Sequence, residues 1–191
     1  MKALVVYAHP ATGGHCNFIL EEIKKNLVSR NIRFEVIDLY KIKYDPVLHE
    51  EEHYASGNRK VSPQNRKFQE KIKNSDMLVF VYPVWWASMP AILKGFLDRI
   101  FTPGFAFRYE EGIPKKLLNG KRALVFFTTG GPTIYYKLLV NTPKKVIKNK
   151  TLEFFGIKTK VVQFGSSIKL DDKKKKIMAG KVKKEISKLK I

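Results

Sequence analysis

Three short segments hold residues suited to seating an anion and a planar ring. The first is His9-Pro10-Ala11-Thr12-Gly13-Gly14-His15-Cys16-Asn17. Two glycines let backbone come close to a ligand, and the free amides of a helix N-terminus attract phosphate. The spacing is not G-x-G-x-x-G, so nicotinamide binding in the Rossmann manner is not predicted. His9 suits a phosphate contact or a structural hydrogen bond, and Asn17 suits either a ligand contact or a plain N-cap.

The second segment, Tyr82-Pro83-Val84-Trp85-Trp86-Ala87-Ser88-Met89-Pro90, places two tryptophans directly after an apolar run. Exposed tandem tryptophan is costly unless something covers it. A planar tricyclic ring is one suitable cover, held by backbone amides and aromatic faces; core packing or a dimer interface is the other reading. The third segment, Thr128-Thr129-Gly130-Gly131-Pro132, offers hydroxyls and open backbone to a polar ring edge, and equally makes a good turn. Cys16 is the one cysteine, so an intrachain disulfide is excluded and no metal site is expected. Its type fits a packed small side chain better than a reactive thiol, in a reducing compartment.

These segments must be positioned by the elements between them. At 191 residues and 44% hydrophobic, the chain suits one core and a single domain over residues 1–191. Strand signals run over Lys2 to Ala8, Arg33 to Leu39, Met77 to Tyr82, Ala123 to Phe127 and Thr159 to Phe164. Helical spacing fills the gaps: from Phe18 to Leu27, from Pro63 behind Ser62 as N-cap to Asn74, and from Met89 to Phe101. A further helix from Thr133 to Phe155 is interrupted near Pro143, and a basic one follows Asp171 with Ile177, Val182, Ile186 and Leu189 facing inward. Lys41 to Val61 lacks a period and reads as a connection over the surface. Alternating strands and helices predict an α/β fold with a doubly wound parallel sheet of five strands in the order 2-1-3-4-5. Its ligand site lies beyond the carboxyl ends of the strands, where all three segments fall.

The formal net charge is +20, from 37 Lys and Arg against 17 Asp and Glu. Such a surface concentrates polyanions, but no base-reading motif accompanies it, so no specific nucleic-acid partner is expected. Lys173 to Lys176, Lys183 and Lys184 read as a solvated basic face. Neither a signal peptide nor a run of about 20 apolar residues is found, and a soluble cytoplasmic protein is expected.

Taken together, the segments resemble the NAD(P)H:quinone oxidoreductase family of flavodoxin-like flavoproteins, which includes DT-diaphorase, bacterial modulators of drug activity and the ancillary proteins of potassium-efflux systems. The stretch from Tyr82 through Pro90-Ala91-Ile92-Leu93-Lys94-Gly95-Phe96-Leu97-Asp98-Arg99 to Phe107 carries most of the likeness. The resemblance implies one flavodoxin-like flavin-binding domain, a homodimer, and a flavin, FAD or FMN, in each subunit. His9, Cys16 and Asn17 would meet the cofactor's phosphate part. Pro83, Val84, Trp85 and Trp86 would line its ring, with Thr128, Thr129, Gly130 and Gly131 along the polar edge. Tyr136, five residues after Gly131, matches a tyrosine near the flavin pyrimidine and is the candidate catalytic residue. Phe107 and Tyr109 match positions that cover the substrate pocket of the partner subunit.

The implied reaction is ping-pong hydride transfer from NADPH or NADH to a quinone or related acceptor, and the charge excess leans towards NADPH. The alternative is a flavin-containing regulatory subunit of a membrane transporter, docked on an acidic protein or membrane-protein partner. Two positions depart from the family pattern. His15 stands where many relatives have serine, which leaves the choice of FAD or FMN open. Thr142 stands where DT-diaphorase-like members have a proton-relay histidine, so a relay would use Tyr136 or water.

Overall fold

The structure, a computed structural model, describes residues 1–53, 55 and 60–189 of the chain. Five strands, β1 (Lys2–Tyr7), β2 (Arg33–Asp38), β3 (Met77–Pro83), β6 (Arg122–Thr128) and β7 (Lys158–Phe164), form a parallel sheet in the order β2-β1-β3-β6-β7. This is the predicted order. The switch point falls between β1 and β3, with Val5 opposite Val36 on one side and Val79 on the other.

Strand pleating sends successive side chains to opposite faces. Leu4, Val6, Leu78, Phe80, Val125 and Phe127 point to one layer, while Ala3, Val5, Val79, Val81, Leu124 and Phe126 point to the other. Every residue of β3 is buried, as a central strand covered on both faces requires. Helices α1 (Gly14–Val28) and α6 (Asp172–Ser187) cover one face through Ile19, Ile23, Val182 and Ile186. Helices α2 (Pro63–Lys73) and α3 (Ala91–Ile100) cover the other through Phe68, Ile72, Leu93 and Phe96. Each fully buried large apolar side chain contributes about 1.5–3 kcal/mol, so the two layers hold the carboxyl edge of the sheet rigid.

Helix ends follow local chemistry. Ser62 Oγ accepts a hydrogen bond from the Asn65 amide and Pro63 starts α2, as the sequence predicts. Helix α3 starts at Ala91, not Met89, because Pro90 is extended at the N-cap and its carbonyl accepts from Leu93 and Lys94. In α6 the inward stripe runs Met178, Val182 and Ile186, and Leu189 just past its end continues it. Ile177, expected inside, is 49% exposed, because the four-residue spacing starts one position later. Of the basic face, Lys173, Lys176, Lys183 and Lys184 are exposed. Lys174 instead turns its ammonium onto the carbonyls of Ser166 and Lys169.

Two regions differ from the sequence reading. The stretch 133–152 is broken more than expected, into α4 (Thr133–Tyr135), a π-helical turn Tyr136–Val140, α5 (Thr142–Lys145) and a second π-helical segment Val146–Leu152. Pro143 lacks the amide that would continue the ladder, and Asn141 takes up the break with φ near 13°. A hairpin of β4 (Phe107–Glu110) and β5 (Ile113–Lys116) was not anticipated. Glu111-Gly112 turns it with φ values of 52° and 77°.

The connection over Lys41 to Val61, of which residues 54 and 56–59 lie outside the described residues, is anchored in the interior rather than draped over it. Arg99 on α3 pairs with Glu52 at 2.6 Å, both under 9% exposed. Asn65 donates to Glu52 and accepts from the Tyr44 hydroxyl at 3.0 Å. Gly95 permits the crossing, since a Cβ there would sit 2.0 Å from the Pro46 carbonyl oxygen. Among the described residues, no helix is long and apolar enough to cross a membrane.

Candidate functional site

A cleft of about 550 Å³ opens at the carboxyl ends of β1, β3 and β6, within the range of small-molecule sites. The fold brings His9, Cys16, Pro83, Val84, Trp85 and Trp86 into its walls together with Thr128, Thr129, Gly130 and Tyr136. These residues come from three separate segments that meet because their strands are sheet neighbours. Asn17, Gly131, Phe107 and Tyr109 are not among its walls.

The first segment supplies an anion seat. Gly13 is the N-cap of α1 and gives no side-chain cap, and no acidic residue occupies the first turn. The leading amides are therefore free for a ligand, with the positive end of the helix dipole behind them. Asn17 is not the N-cap; it sits inside the first turn, donates to the Thr12 carbonyl at 3.0 Å and faces a neighbouring cleft. His9 Nδ1 lies 3.0 Å from the Ala11 amide nitrogen and 3.1 Å from the Ala11 carbonyl oxygen, which fixes the ring at the start of the loop. Cys16 is 1% exposed, with Sγ 3.4 Å from Thr128 Oγ1. Burial pushes its thiol up to about 12. Its side chain is thus packing, and only its backbone can serve a ligand.

The second segment is a strained turn. Trp85 and Ser88 exchange two backbone hydrogen bonds of 2.9 Å, and between them Trp86 and Ala87 hold φ values of 49° and 57°. The left-handed region costs an ordinary residue about 1–2 kcal/mol, and such strain collects at functional sites. The turn leaves Trp85 42% exposed and Trp86 fully exposed. Val84 donates its amide to the Thr128 carbonyl at 2.8 Å, tying this turn to the third segment.

That third segment is held from below. Thr129 donates its amide to Phe164 and its hydroxyl to the Gly131 carbonyl. Gly130 is open, with nothing within 4 Å of a built Cβ. Gly131 seats Tyr136 instead of lining the cleft, since a Cβ there would meet the Tyr136 ring at 3.2 Å. Ser167, not foreseen, reaches the cleft from beyond β7 by donating its amide to the Thr129 carbonyl at 3.0 Å. The small residues Gly165-Ser166-Ser167 after the fifth strand were the available signal. Gly165 is obligatory, as a Cβ would fall 2.3 Å from the Thr133 amide nitrogen.

His15 also lines the cleft, and its buried Nε2 has no protein partner. Burial, reinforced by nearby Lys174 and opposed by a hydrogen bond to the Lys169 backbone and by Asp171, lowers its pKa, so the ring is neutral at pH 7. Thr142 begins α5 and is not one of the walls.

The aromatic pair of β4 lies elsewhere in its own subunit. Phe107 stacks on Phe155 at 5.9 Å and borders a separate cavity of about 490 Å³ that shares no lining residue with the cleft. Tyr109 is 61% exposed. An uncapped helix N-terminus, an orphaned buried imidazole nitrogen and a slot between the Trp85 turn and Gly130 fit a flavin: an anionic tail with a flat, polar-edged ring.

Comparison with known proteins bears on the same features. The family described as having a flavodoxin-like fold matches residues 1–187. A Haemophilus influenzae protein named as an uncharacterized NAD(P)H oxidoreductase is 30% identical, over 93% of this chain and 90% of its own. The human ribosyldihydronicotinamide dehydrogenase [quinone] is also 30% identical, over 93% and 87%. The NAD(P)H:quinone oxidoreductase of Methanothermobacter marburgensis superposes with a TM-score of 0.89 at 25% identity, covering 100% of this chain and 99% of that one. The family match over nearly the whole length shows that the chain belongs to the flavodoxin-like family, and its relatives include proteins named as NAD(P)H and quinone oxidoreductases.

Proposed function

We propose that this protein is a flavin-dependent NAD(P)H oxidoreductase that reduces quinones or related acceptors. One observation carries the reading: a strained turn holds Trp86 fully exposed in a cleft that is also lined by the open backbone of Gly130 and by Gly14 at an uncapped helix N-terminus. A bound flavin, FAD or FMN, would supply hydride exchange between a nicotinamide nucleotide and an acceptor using the same place in turn.

The chain's residues supply seat, orientation and a proton. The amides of Gly14 and Cys16 and the ring of His9 hold a phosphate. Pro83 to Trp86 present backbone to one side of the ring, while Thr128, Thr129 and Gly130 meet its polar edge. Tyr136, half-buried and pressed against Gly131, aims a phenol that donates a hydrogen bond where negative charge develops. Neither Thr142 nor any other side chain of α5 joins the cleft, so the donor role falls to Tyr136. Rigid placement of these groups before reaction is the protein's main contribution to rate.

Homodimerisation and a cytoplasmic location belong to the same reading. Tyr109, exposed on the hairpin face that it shares with Phe107 and Pro114, suits the partner's cleft. The test is reconstitution with FMN and with FAD, followed by steady-state kinetics with NADH, NADPH and a soluble quinone. Parallel double-reciprocal lines support ping-pong turnover; a protein that takes up neither flavin refutes the proposal.

A further inference from the structure

Helix α6 packs one face on the sheet and leaves the opposite face in solvent. Its inward residues Met178, Val182 and Ile186 recur every four positions, which puts Lys173, Ile177, Gly180 and Lys184 on the outer side. All four are exposed, and so are Lys176 and Lys183 beside them. The acidic groups of this region are already engaged. Asp171 caps the first turn, Asp172 pairs with Lys175 at 3.2 Å, and Glu185 pairs with Lys188 at 2.9 Å. The ammonium groups of Lys173, Lys176, Lys183 and Lys184 have no ion pair among the described residues.

Two apolar side chains stand out of this basic ground. Ile177 is 49% exposed, and Ile168, in the turn between β7 and α6, is 88% exposed. Lys174 ties that turn to the helix by donating to the Ser166 and Lys169 carbonyls, so both isoleucines lie at the same end of α6. Lys169, next to Ile168, is exposed as well. A single exposed isoleucine is ordinary. Isoleucines set among unpaired lysines match the interface of an anionic bilayer, where headgroups take the ammonium groups and the acyl boundary takes the apolar tips. A nucleic-acid backbone would engage the lysines and leave the isoleucines in water.

We propose that the outer face of α6, with the 166–169 turn, docks the protein on an anionic lipid surface. Ser167 of the same turn lines the flavin cleft, so docking sets the cleft beside the bilayer. The proposal rests on the flavoenzyme reading only for its purpose, which is access to a quinone acceptor dissolved in the lipid.

The test is co-sedimentation of the whole protein with vesicles of equal parts phosphatidylcholine and phosphatidylglycerol, and with vesicles of phosphatidylcholine alone, at physiological salt. Binding to the anionic vesicles only is expected. A lysine beside such a surface is worth about fivefold in affinity, so Lys173→Gln with Lys184→Gln should weaken binding roughly 25-fold. Ile168→Ser with Ile177→Ser should weaken it roughly tenfold at unchanged charge. Lys67→Gln with Lys73→Gln, on α2 in the opposite layer, removes the same charge and should change binding by less than about twofold. All six side chains are exposed, so the variants are expected to fold.

Equal binding to both vesicle types, or to neither, overturns the proposal. So does undiminished binding by the isoleucine variant, and so does an equal loss in the α2 variant, which would reduce the effect to net charge. Tighter binding to duplex DNA than to the anionic vesicles would assign the face to nucleic acid and overturn it too. A protein that takes up no flavin would defeat the oxidoreductase reading, while co-sedimentation would still decide this one.

Discussion

Cys16 Sγ on α1 lies 3.4 Å from Thr128 Oγ1 at the end of β6, joining positions 112 residues apart beneath the candidate cofactor cleft. The contact fixes the anion seat of the first loop against the polar edge supplied by the third. Burial, which outweighs the opposing effect of the Thr128 hydrogen bond, removes Cys16 from chemistry, because ionising a thiol there would leave a buried charge.

Two outcomes follow for Cys16. In the folded protein it should resist thiol reagents at neutral pH, with one equivalent reacting after denaturation. The unfolded thiol ionises near its ordinary 9.0 and the folded one at about 12. The unfolded state therefore holds fewer protons between those values, so stability is full below pH 9 and falls as pH rises towards 12. Denaturant midpoints measured from pH 7 to pH 11 check the sign.

Tyr136→Phe should leave flavin binding intact and slow its reduction. Loss of one hydrogen bond to developing charge is worth about 1.5–3 kcal/mol, roughly a tenfold to hundredfold change in rate. Stopped-flow absorbance under anaerobic conditions reads it, and an unchanged reduction rate removes Tyr136 from the catalytic role.

Trp86→Ala should cost little stability, within about 0.5 kcal/mol, since the ring is fully exposed. It should weaken flavin binding measurably. Ala87→Gly, relieving a φ of 57°, should raise stability by about 1 kcal/mol. Thermal denaturation and fluorescence titration with FMN separate the two effects.

Breaking the buried pair under α3 should be severe. Arg99→Ala leaves the Glu52 carboxylate without its cation in a site under 9% exposed, at a cost of about 3–5 kcal/mol, and Glu52→Ala costs less because Arg99 keeps its pair with Asp45 at 3.1 Å. Replacing both residues should cost less than the sum of the two single changes, measurable as a double-mutant cycle by urea denaturation.

Much of this molecule is legible in its residues because the strands are continuous apolar runs. Met77 to Tyr82 reads as a central strand and is one, and the order of five strands follows from the alternation. The three loops then meet by topology alone. What stayed hidden depends on contacts across the chain. Ser167 joins the cleft through the Thr129 carbonyl, and Glu52 is interior because Arg99 and Asn65 reach it, contacts that have no local period. The β4–β5 hairpin was missed because its strands are four residues each and β5, Ile113-Pro114-Lys115-Lys116, is fully exposed, so no buried face marks it. The N-cap reading of Asn17 failed for a smaller reason: Gly14 already starts the helix, so the asparagine arrives a turn too late to cap it.

The most direct measurement is anaerobic titration of the flavin-loaded protein with NADH and NADPH, followed by addition of a soluble quinone. The absorbance of the oxidised flavin should bleach in proportion to the nucleotide added and return when quinone is supplied. A protein that binds no flavin, or whose bound flavin stays oxidised with both nucleotides, would contradict the proposed activity.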